Sequence, residues 1–210
     1  MTHIEIPIIF LDKYVQLKNI YDNISSEVIT NQGIIHVDNY LFNNYLGDIT
    51  KGIKWTWAIN KKSFSLFEDA IEDIIPIIND YFHNDFILRG CSFITLFEQE
   101  VSNSDFHFDI TSHYDKKETT NTLTLIFPLY IEEDMGNLEY KEEGKTKVYK
   151  YKQDKIFVWD SCKLEHRTQP YCLGERKKRV LVSMNFSTKE EWAVISVNNS
   201  LKCQGNKIII

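Results

Sequence analysis

Residues 120–130, Thr-Asn-Thr-Leu-Thr-Leu-Ile-Phe-Pro-Leu-Tyr, form one of several short runs of β-branched, aliphatic and aromatic residues in the second half of the chain. Runs of this kind, bounded by turn residues, are typical of β-strands. From residue 87 onward they recur at 87–97, 106–110, 120–130, 137–140, 147–151, 155–159, 179–186 and 192–197. A succession of about eight strands predicts two packed β-layers, as in a jelly roll or β-barrel.

The first third of the chain mixes helix and strand signals. Residues 11–29 carry apolar residues at roughly helical spacing, and residues 34–41 are typical of a strand that ends in a turn. Residues 63–82 carry a longer apolar stripe, which predicts a helix capped by Ser63 or Ser65, with Glu68 completing a capping box from Ser65. Pro76 lies inside this stripe and predicts a kink or two shorter helices.

Together these patterns predict a mainly β protein of the α+β class, with a double-stranded β-helix (jelly-roll) core buttressed by helices. We expect an N-terminal helical and strand support region at 1–84, a jelly-roll core at 85–197 and a C-terminal extension at 198–210, all within one integrated domain. The chain has 210 residues, of which 43% are hydrophobic, so it can bury a core of that size.

Charge and composition favour a soluble cytoplasmic protein. The chain has 24 basic and 30 acidic residues and a formal net charge of -6, which argues against a surface built to bind nucleic acid. We find neither a secretory signal nor an apolar stretch of the roughly 18 residues that a membrane span needs. The four cysteines show no Cys-x-x-Cys spacing, so they indicate reduced thiols rather than a zinc site.

Three residues are candidate ligands of a metal ion. His107 and Asp109 stand two apart, and His166 follows about four candidate strands later. Residues i and i+2 of a strand point to the same face, so His107 and Asp109 can direct their ligand atoms at one point. Two imidazoles and one carboxylate form the facial triad of non-haem Fe(II) sites. A His-x-Asp pair alone is equally typical of hydrogen-bond partners at a barrel rim.

Arg179 stands at the head of the strand predicted at 179–186. Burying an arginine is costly unless an anion meets it, and a guanidinium suits two-point pairing with a carboxylate. Arg179 shares one face of the strand with every second residue, whereas Lys178 belongs to the other face. The sequence does not decide which face points inward, and Arg176 and Lys178 are alternatives for the same role.

The stretch from residue 87 to residue 186 resembles the 2-oxoglutarate and Fe(II)-dependent oxygenase superfamily, and within it the prolyl-hydroxylase-like branch. The resemblance rests on His107-x-Asp109, the strand 122–130, the turn and strand Met135-Gly136-Asn137-Leu138-Glu139-Tyr140, and His166 followed by Arg179. The family commonly has Gly-Gly-x-Leu at that turn, and Asn137 replaces the second glycine here.

The resemblance implies that His107, Asp109 and His166 hold Fe(II) and that Arg179 binds the far carboxylate of the co-substrate 2-oxoglutarate. The interval from His166 to Arg179 is long for prolyl hydroxylases, which keeps the two alternatives open. The implied reaction uses O2, with ascorbate as a supporting reductant, and hydroxylates a peptidyl residue, a free amino acid or a small metabolite with release of succinate and CO2. Halogenating relatives have a small residue in place of the carboxylate, so Asp109 favours hydroxylation or a related oxidation.

Four further residues receive narrower expectations. Tyr114 and Thr124 are candidate hydrogen-bond donors to the co-substrate. Asp160 either accepts a hydrogen bond from His166 or caps the turn that follows it. Trp159 is expected in the barrel core.

Two other functions compete with this hypothesis. A cupin-type metal enzyme would share the barrel without using 2-oxoglutarate, although the chain lacks the Gly-rich His-x-His motif typical of cupins. A non-catalytic jelly-roll binding module would share the fold alone.

Overall fold

The computed structural model describes residues 2–8, 11–25, 34–36, 41–46, 53–97, 100–101, 104–111, 119–132, 135–172 and 177–205. Its helices are α1 (Leu11–Ser25), α2 (Lys61–Ile71), α3 (Ile75–Phe82) and α4 (Glu191–Cys203). Its strands are β1 (His3–Pro7), β2 (Ile34–His36), β3 (Phe42–Leu46), β4 (Ile53–Ala58), β5 (Ile87–Phe97), β6 (Glu100–Val101), β7 (Thr122–Tyr130), β8 (Leu138–Glu142), β9 (Lys145–Tyr149), β10 (Lys155–Asp160), β11 (His166–Thr168), β12 (Tyr171–Cys172) and β13 (Lys178–Ser187).

The described strands form a major sheet, a minor sheet and a separate pair made by β6 and β12. The major sheet has eight strands in the order β1-β10-β7-β13-β5-β4-β3-β2, and the minor sheet has the order β11-β8-β9. Neighbouring strands in both sheets pair antiparallel. Strands from the first third of the chain therefore extend the major sheet at both edges, with β1 beside β10 and β4 beside β5.

Helices α1, α2 and α3 cover one face of the major sheet. Alternate residues of β7 and β13 point towards them, because successive side chains of a strand face opposite sides. The largest buried cluster contains these strand residues and the apolar faces of the helices, including Leu17, Tyr21, Phe67, Ile71, Phe82, Phe93, Leu125, Phe127, Val182 and Met184.

The minor sheet covers the opposite face of β7, β10 and β13. Ile126, Phe157, Trp159 and Leu181 point to this side and form a second buried cluster with Leu138, Tyr140 and Tyr149 of the minor sheet. These two layers are the jelly roll that the strand pattern predicted. Among the described residues, no helix combines the length and the apolar character needed to cross a membrane.

Pro76 divides the predicted helix at 63–82 in two, as expected. α2 ends at Ile71, α3 begins at Ile75, and Pro76 lies in the first turn of α3, where its missing N–H breaks no helical hydrogen bond. The predicted cap was wrong. Asn60 caps α2, since its side chain accepts from the Ser63 N–H at 3.0 Å while the Ser63 hydroxyl accepts from the Asn60 N–H at 3.2 Å.

The strand predicted at 192–197 was also wrong, because these residues belong to α4. Ala193, Val197 and Leu201 recur every four residues and are all buried, which is the period of a helix packed on one side. α4 continues across residue 198, and the carbonyl of Gln204 accepts a hydrogen bond from the Trp57 indole at 2.9 Å. The end of the described chain is thus docked against β4.

The strand predicted at 106–110 does not form either. Its only β-type pairing within the described chain is an isolated bridge between His107 and His166. The segment is held beside β11 by that bridge, outside any ladder.

Candidate metal centre

The bridge between His107 and His166 brings the predicted ligands together. Their main chains exchange two hydrogen bonds of 2.9 Å, and their ring centroids lie 4.6 Å apart. One ligand atom from each of His107, Asp109 and His166 lies within 4.8 Å of the other two. The His166 Nε2 atom is 3.5 Å from the Asp109 Oδ1 atom. The three side chains are thus close enough together to be candidate ligands of a single ion.

Main-chain carbonyls orient both imidazoles. The His107 Nδ1 atom lies 3.0 Å from the carbonyl oxygen of Asp105, and the His166 Nδ1 atom lies 3.0 Å from that of Leu164. Because a carbonyl oxygen can only accept, each Nδ1 is the donor. The Nε2 atom of each neutral ring then carries the free lone pair that a metal ligand requires.

The two carboxylate oxygens of Asp109 have different surroundings. Oδ2 accepts from the Thr124 hydroxyl at 2.6 Å and from the Trp159 indole N–H at 3.1 Å, whereas Oδ1 faces His166. Burial raises the pKa of Asp109, but it is outweighed by the charges of His166 and His107 when these rings are protonated, and by hydrogen bonds from His166 and Thr124, which lower the pKa to about 2. The carboxylate is therefore ionised at neutral pH.

Arg179 lies on the face of β13 that points between the sheets. Its side chain is buried, and its Nη1 atom donates to the carbonyl oxygens of Gly136 and Met135. Its Nε atom is buried without a hydrogen-bond partner in the described chain. The guanidinium carbon lies 5.4 Å from the ring centre of Tyr151, and burial lowers the pKa of Arg179. No acidic side chain of the described residues forms an ion pair with it.

Lys178, one of the two alternatives to Arg179, points to the opposite face of β13. The ammonium of Lys178 lies over the rings of Tyr21 and Tyr130, 4.8 and 4.7 Å from their centres, on the helix side of the sheet. Arg176 and Tyr114 lie outside the described residues. Of the two basic residues at the start of β13, Arg179 alone lies on the face of Leu181, which is buried between the sheets.

Thr124 has a partner other than the one expected, whereas Asp160 has the second of its two expected roles. The single hydroxyl hydrogen of Thr124 is donated to Asp109, so it is not available to a co-substrate. Asp160 caps its turn, because its Oδ1 atom accepts from the Cys162 N–H at 2.9 Å while its Oδ2 atom lies 3.0 Å from the Lys163 ammonium. The His166 ring is oriented by Leu164 instead.

Trp159 and Tyr151 are site residues that the sequence reasoning missed. Trp159 is buried as expected, but its indole donates to Asp109 and its ring meets His166 edge-on at 5.1 Å. A buried indole N–H needs an acceptor, and this requirement could have indicated from the sequence that Trp159 contacts a polar group. Tyr151 lies close enough to Arg179 and Asp109 for both charges to act on the pKa of its hydroxyl, which burial raises.

Comparison with solved structures identifies the fold. No protein-family model matches the chain, and no curated protein matches its sequence. The structure is similar to a prolyl-4-hydroxylase from Pseudomonas putida, with a TM-score of 0.60 and 13% identity over 90% of this chain and 93% of that one. It is also similar to a prolyl hydroxylase from Trichoplax adhaerens in complex with a peptide fragment of hypoxia inducible factor, with a TM-score of 0.60 and 14% identity over 92% of this chain and 86% of that one.

A third similar structure is HygX from Streptomyces hygroscopicus with nickel, 2-oxoglutarate and hygromycin B bound. Its TM-score is 0.60 and its identity 9%, over 90% of this chain and 84% of that one. The chain thus has the double-stranded β-helix fold of the 2-oxoglutarate and Fe(II)-dependent oxygenases. Prolyl hydroxylases are among its structural neighbours, so the fold implied by the sequence resemblance is confirmed.

Proposed function

We propose that this protein is a 2-oxoglutarate and Fe(II)-dependent oxygenase, with His107, Asp109 and His166 as the metal ligands and Arg179 as the partner of the far carboxylate of 2-oxoglutarate. One observation carries the proposal. A buried arginine without an acidic partner in the described chain shares the space between the sheets with a cluster of two histidines and one carboxylate.

The residues present fit Fe(II) and a dicarboxylic co-substrate. The donor set consists of two imidazole nitrogens with free lone pairs and one ionised carboxylate, which is the set of non-haem Fe(II) oxygenases. When bound, the iron supplies the chemistry that couples decarboxylation of 2-oxoglutarate to oxidation of a C–H bond by O2, with succinate and CO2 as products. Three protein ligands would leave open positions on the ion for the co-substrate and O2.

Arg179 supplies the charge that a dicarboxylic acid needs. Because its Nη1 atom is fixed by main-chain carbonyls, the guanidinium keeps one orientation and its Nε–H is free to donate. Burial also raises the pKa of Tyr151, so its hydroxyl stays protonated and can donate to the same carboxylate. Leu181 and Ile126 are buried on the same side of the sheet, so apolar side chains line the space beside these groups.

The proposed substrate is a peptidyl residue, a free amino acid or a small metabolite, and the proposed reaction is hydroxylation. The structural neighbours support this range, since one was solved with a peptide and another with hygromycin B. Asp109 supports an oxidation without halide, because the carboxylate occupies the position that a halide would need.

Anaerobic titration of 2-oxoglutarate into the Fe(II)-loaded protein tests the proposal. A metal-bound 2-oxo acid gives a weak visible charge-transfer band, which we expect for the wild type and not for His107→Ala. Arg179→Met should raise the 2-oxoglutarate concentration at half-saturation by about 10- to 100-fold, since a hydrogen bond to a charged group contributes about 1.5–3 kcal/mol.

Lys178→Met is the matched control, because this neighbouring charge lies on the other face of β13. It should leave the titration unchanged. Metal binding without any band would support a cupin-type enzyme instead, and binding of neither metal nor 2-oxoglutarate would support a non-catalytic module. Succinate formation above the His107→Ala background, with a panel of peptides and amino acids, then tests turnover.

A further inference from the structure

The hydrogen bonds to Asp109 differ between its two oxygens in a way that bears on how it can bind a metal. Oδ2 accepts two hydrogen bonds, from Thr124 and Trp159, and Oδ1 accepts none from a hydroxyl, amide or indole of the described residues. Oδ1 is also the oxygen that lies 3.5 Å from the His166 Nε2 atom. Two ligand atoms at right angles, each about 2.1 Å from an ion, lie about 3 Å apart. Oδ1 is thus the oxygen in place to bind.

The two donors are themselves held in place. Trp159 and Asn185 are the cross-strand partners of Thr124 on β10 and β13, so the three form one row across the major sheet. The Thr124 hydroxyl lies 2.9 Å from the Ser161 hydroxyl and accepts from the Asn185 side-chain amide at 3.3 Å. Since that hydroxyl has one hydrogen, which goes to Asp109, Ser161 and Asn185 both donate to it. These hydrogen bonds lead from Ser161 and Asn185 through the Thr124 hydroxyl to the Asp109 Oδ2 atom.

Trp159 is fixed by packing as well. Its side chain is 2% exposed, and its ring lies between Phe157, at 5.6 Å, and His166, at 5.1 Å. Rotating the indole away from Asp109 would require Phe157 or the His166 ring to move. One buried side chain therefore contacts two of the three candidate ligands.

From this geometry we infer that Trp159 and Thr124 are positioning residues that keep Asp109 a one-oxygen ligand. A carboxylate that turned to bind through both oxygens would occupy a fourth coordination position and leave too few for a chelating 2-oxo acid and O2. With Oδ2 engaged by two donors, that rotation would break two hydrogen bonds to a charged group. The inference rests on the proposed metal site and concerns how the site is kept open.

Co(II) binding tests the inference without turnover. Removing a residue that orients a metal ligand weakens metal affinity by about 10- to 100-fold, and we expect losses in that range for Trp159→Phe and Thr124→Val. The visible d–d absorption of bound Co(II) should also change, because its intensity follows coordination number. Thr124→Ser retains the hydroxyl and should restore both affinity and spectrum.

A control variant removes a comparable buried group away from the candidate ligands. Thr95→Val deletes a buried hydroxyl paired with Tyr21 at 3.0 Å. It should lower thermal stability yet leave the Co(II) affinity and spectrum at wild-type values.

The failure of this inference can be told apart from failure of the proposed function. If the wild type does not bind Co(II), the proposed metal site itself is wrong. If the wild type binds Co(II) while Trp159→Phe and Thr124→Val keep its affinity and spectrum, the metal site stands and the positioning role is overturned. Should Trp159→Phe fail to fold, the comparison of Thr124→Val with Thr124→Ser decides.

Discussion

Replacing Gly136 by alanine should disturb the side-chain contacts of Arg179 through two separate effects. Gly136 has a φ of 72°, in the left-handed region that L side chains rarely adopt. An added β-carbon would also lie 2.9 Å from the Tyr171 Cδ1 atom, 3.1 Å from the Thr168 Cγ2 atom and 3.2 Å from the Arg179 Nη1 atom. The carbonyl of the same glycine accepts from Arg179, so any shift of this turn moves the guanidinium.

Gly144 separates the two effects. Its φ is 73°, but a β-carbon there would meet no atom within 4 Å. The left-handed conformation costs an L residue about 1–2 kcal/mol, so Gly144→Ala should lower the melting temperature by about 2–8 °C for a domain of this size. Gly136→Ala adds crowding, which typically costs about 1–3 kcal/mol more, and should melt at a lower temperature than Gly144→Ala.

The effect on the co-substrate distinguishes the variants further. If Gly136→Ala displaces Arg179, the protein loses a charged hydrogen bond of about 1.5–3 kcal/mol, and half-saturation should need about 10- to 100-fold more 2-oxoglutarate. Gly144→Ala should bind 2-oxoglutarate like the wild type. Thermal melts and the anaerobic charge-transfer titration measure both quantities. Equal melting temperatures and equal half-saturation in the two variants would refute the placement of Arg179 against this turn.

Two further predictions concern stability. Asn60→Ala should lower the free energy of unfolding by about 1 kcal/mol, as loss of a helix cap does, whereas Ser65→Ala should change it by less than about 0.5 kcal/mol; equal losses in denaturant unfolding would contradict the cap at Asn60. Burial raises the pKa of Tyr21 from 10.0 to about 12. The unfolded chain therefore ionises first, and the stability present below pH 10 is lost as the pH rises towards 12, by roughly 1 kcal/mol at pH 11. Between pH 9 and pH 11 the free energy of unfolding of Tyr21→Phe should fall less than that of the wild type. Equal decreases for the two proteins in urea unfolding would contradict this prediction.

The strands of the core were predictable because they are buried. β5, β7, β10 and β13 are apolar runs that begin and end within two residues of the predicted bounds. Because β13 is buried on both sides, its sequence does not show which face points towards the candidate metal centre. Helices cover one side of this strand and the minor sheet covers the other, so neither face shows the polar character that marks an exposed side. Only the tertiary arrangement shows that Lys178 faces the helices and Arg179 the minor sheet.

Helix α4 was not predictable from local preference. Its sequence includes Val194, Ile195 and Val197, and β-branched residues of this kind favour strands. The buried positions nevertheless follow a helical period, whereas Ile195 is 51% exposed. Packing against the sheet favours the helix here. The intrinsic helix and strand preferences of these residues differ by less than the free energy gained when one side of a helix is buried.

His107 and Asp109 lie beside His166 as predicted, although the structural reason given for their placement was incomplete. The expectation that they share a face rested on strand alternation, yet residues 106–110 form no strand in the described chain beyond one bridge. Two tertiary features replace the missing ladder. The bridge fixes His107 against His166, and the hydrogen bonds from Thr124 and Trp159 fix Asp109. Because no ladder holds this segment, loss of those side-chain donors should loosen the ligand geometry more than it would in a paired strand.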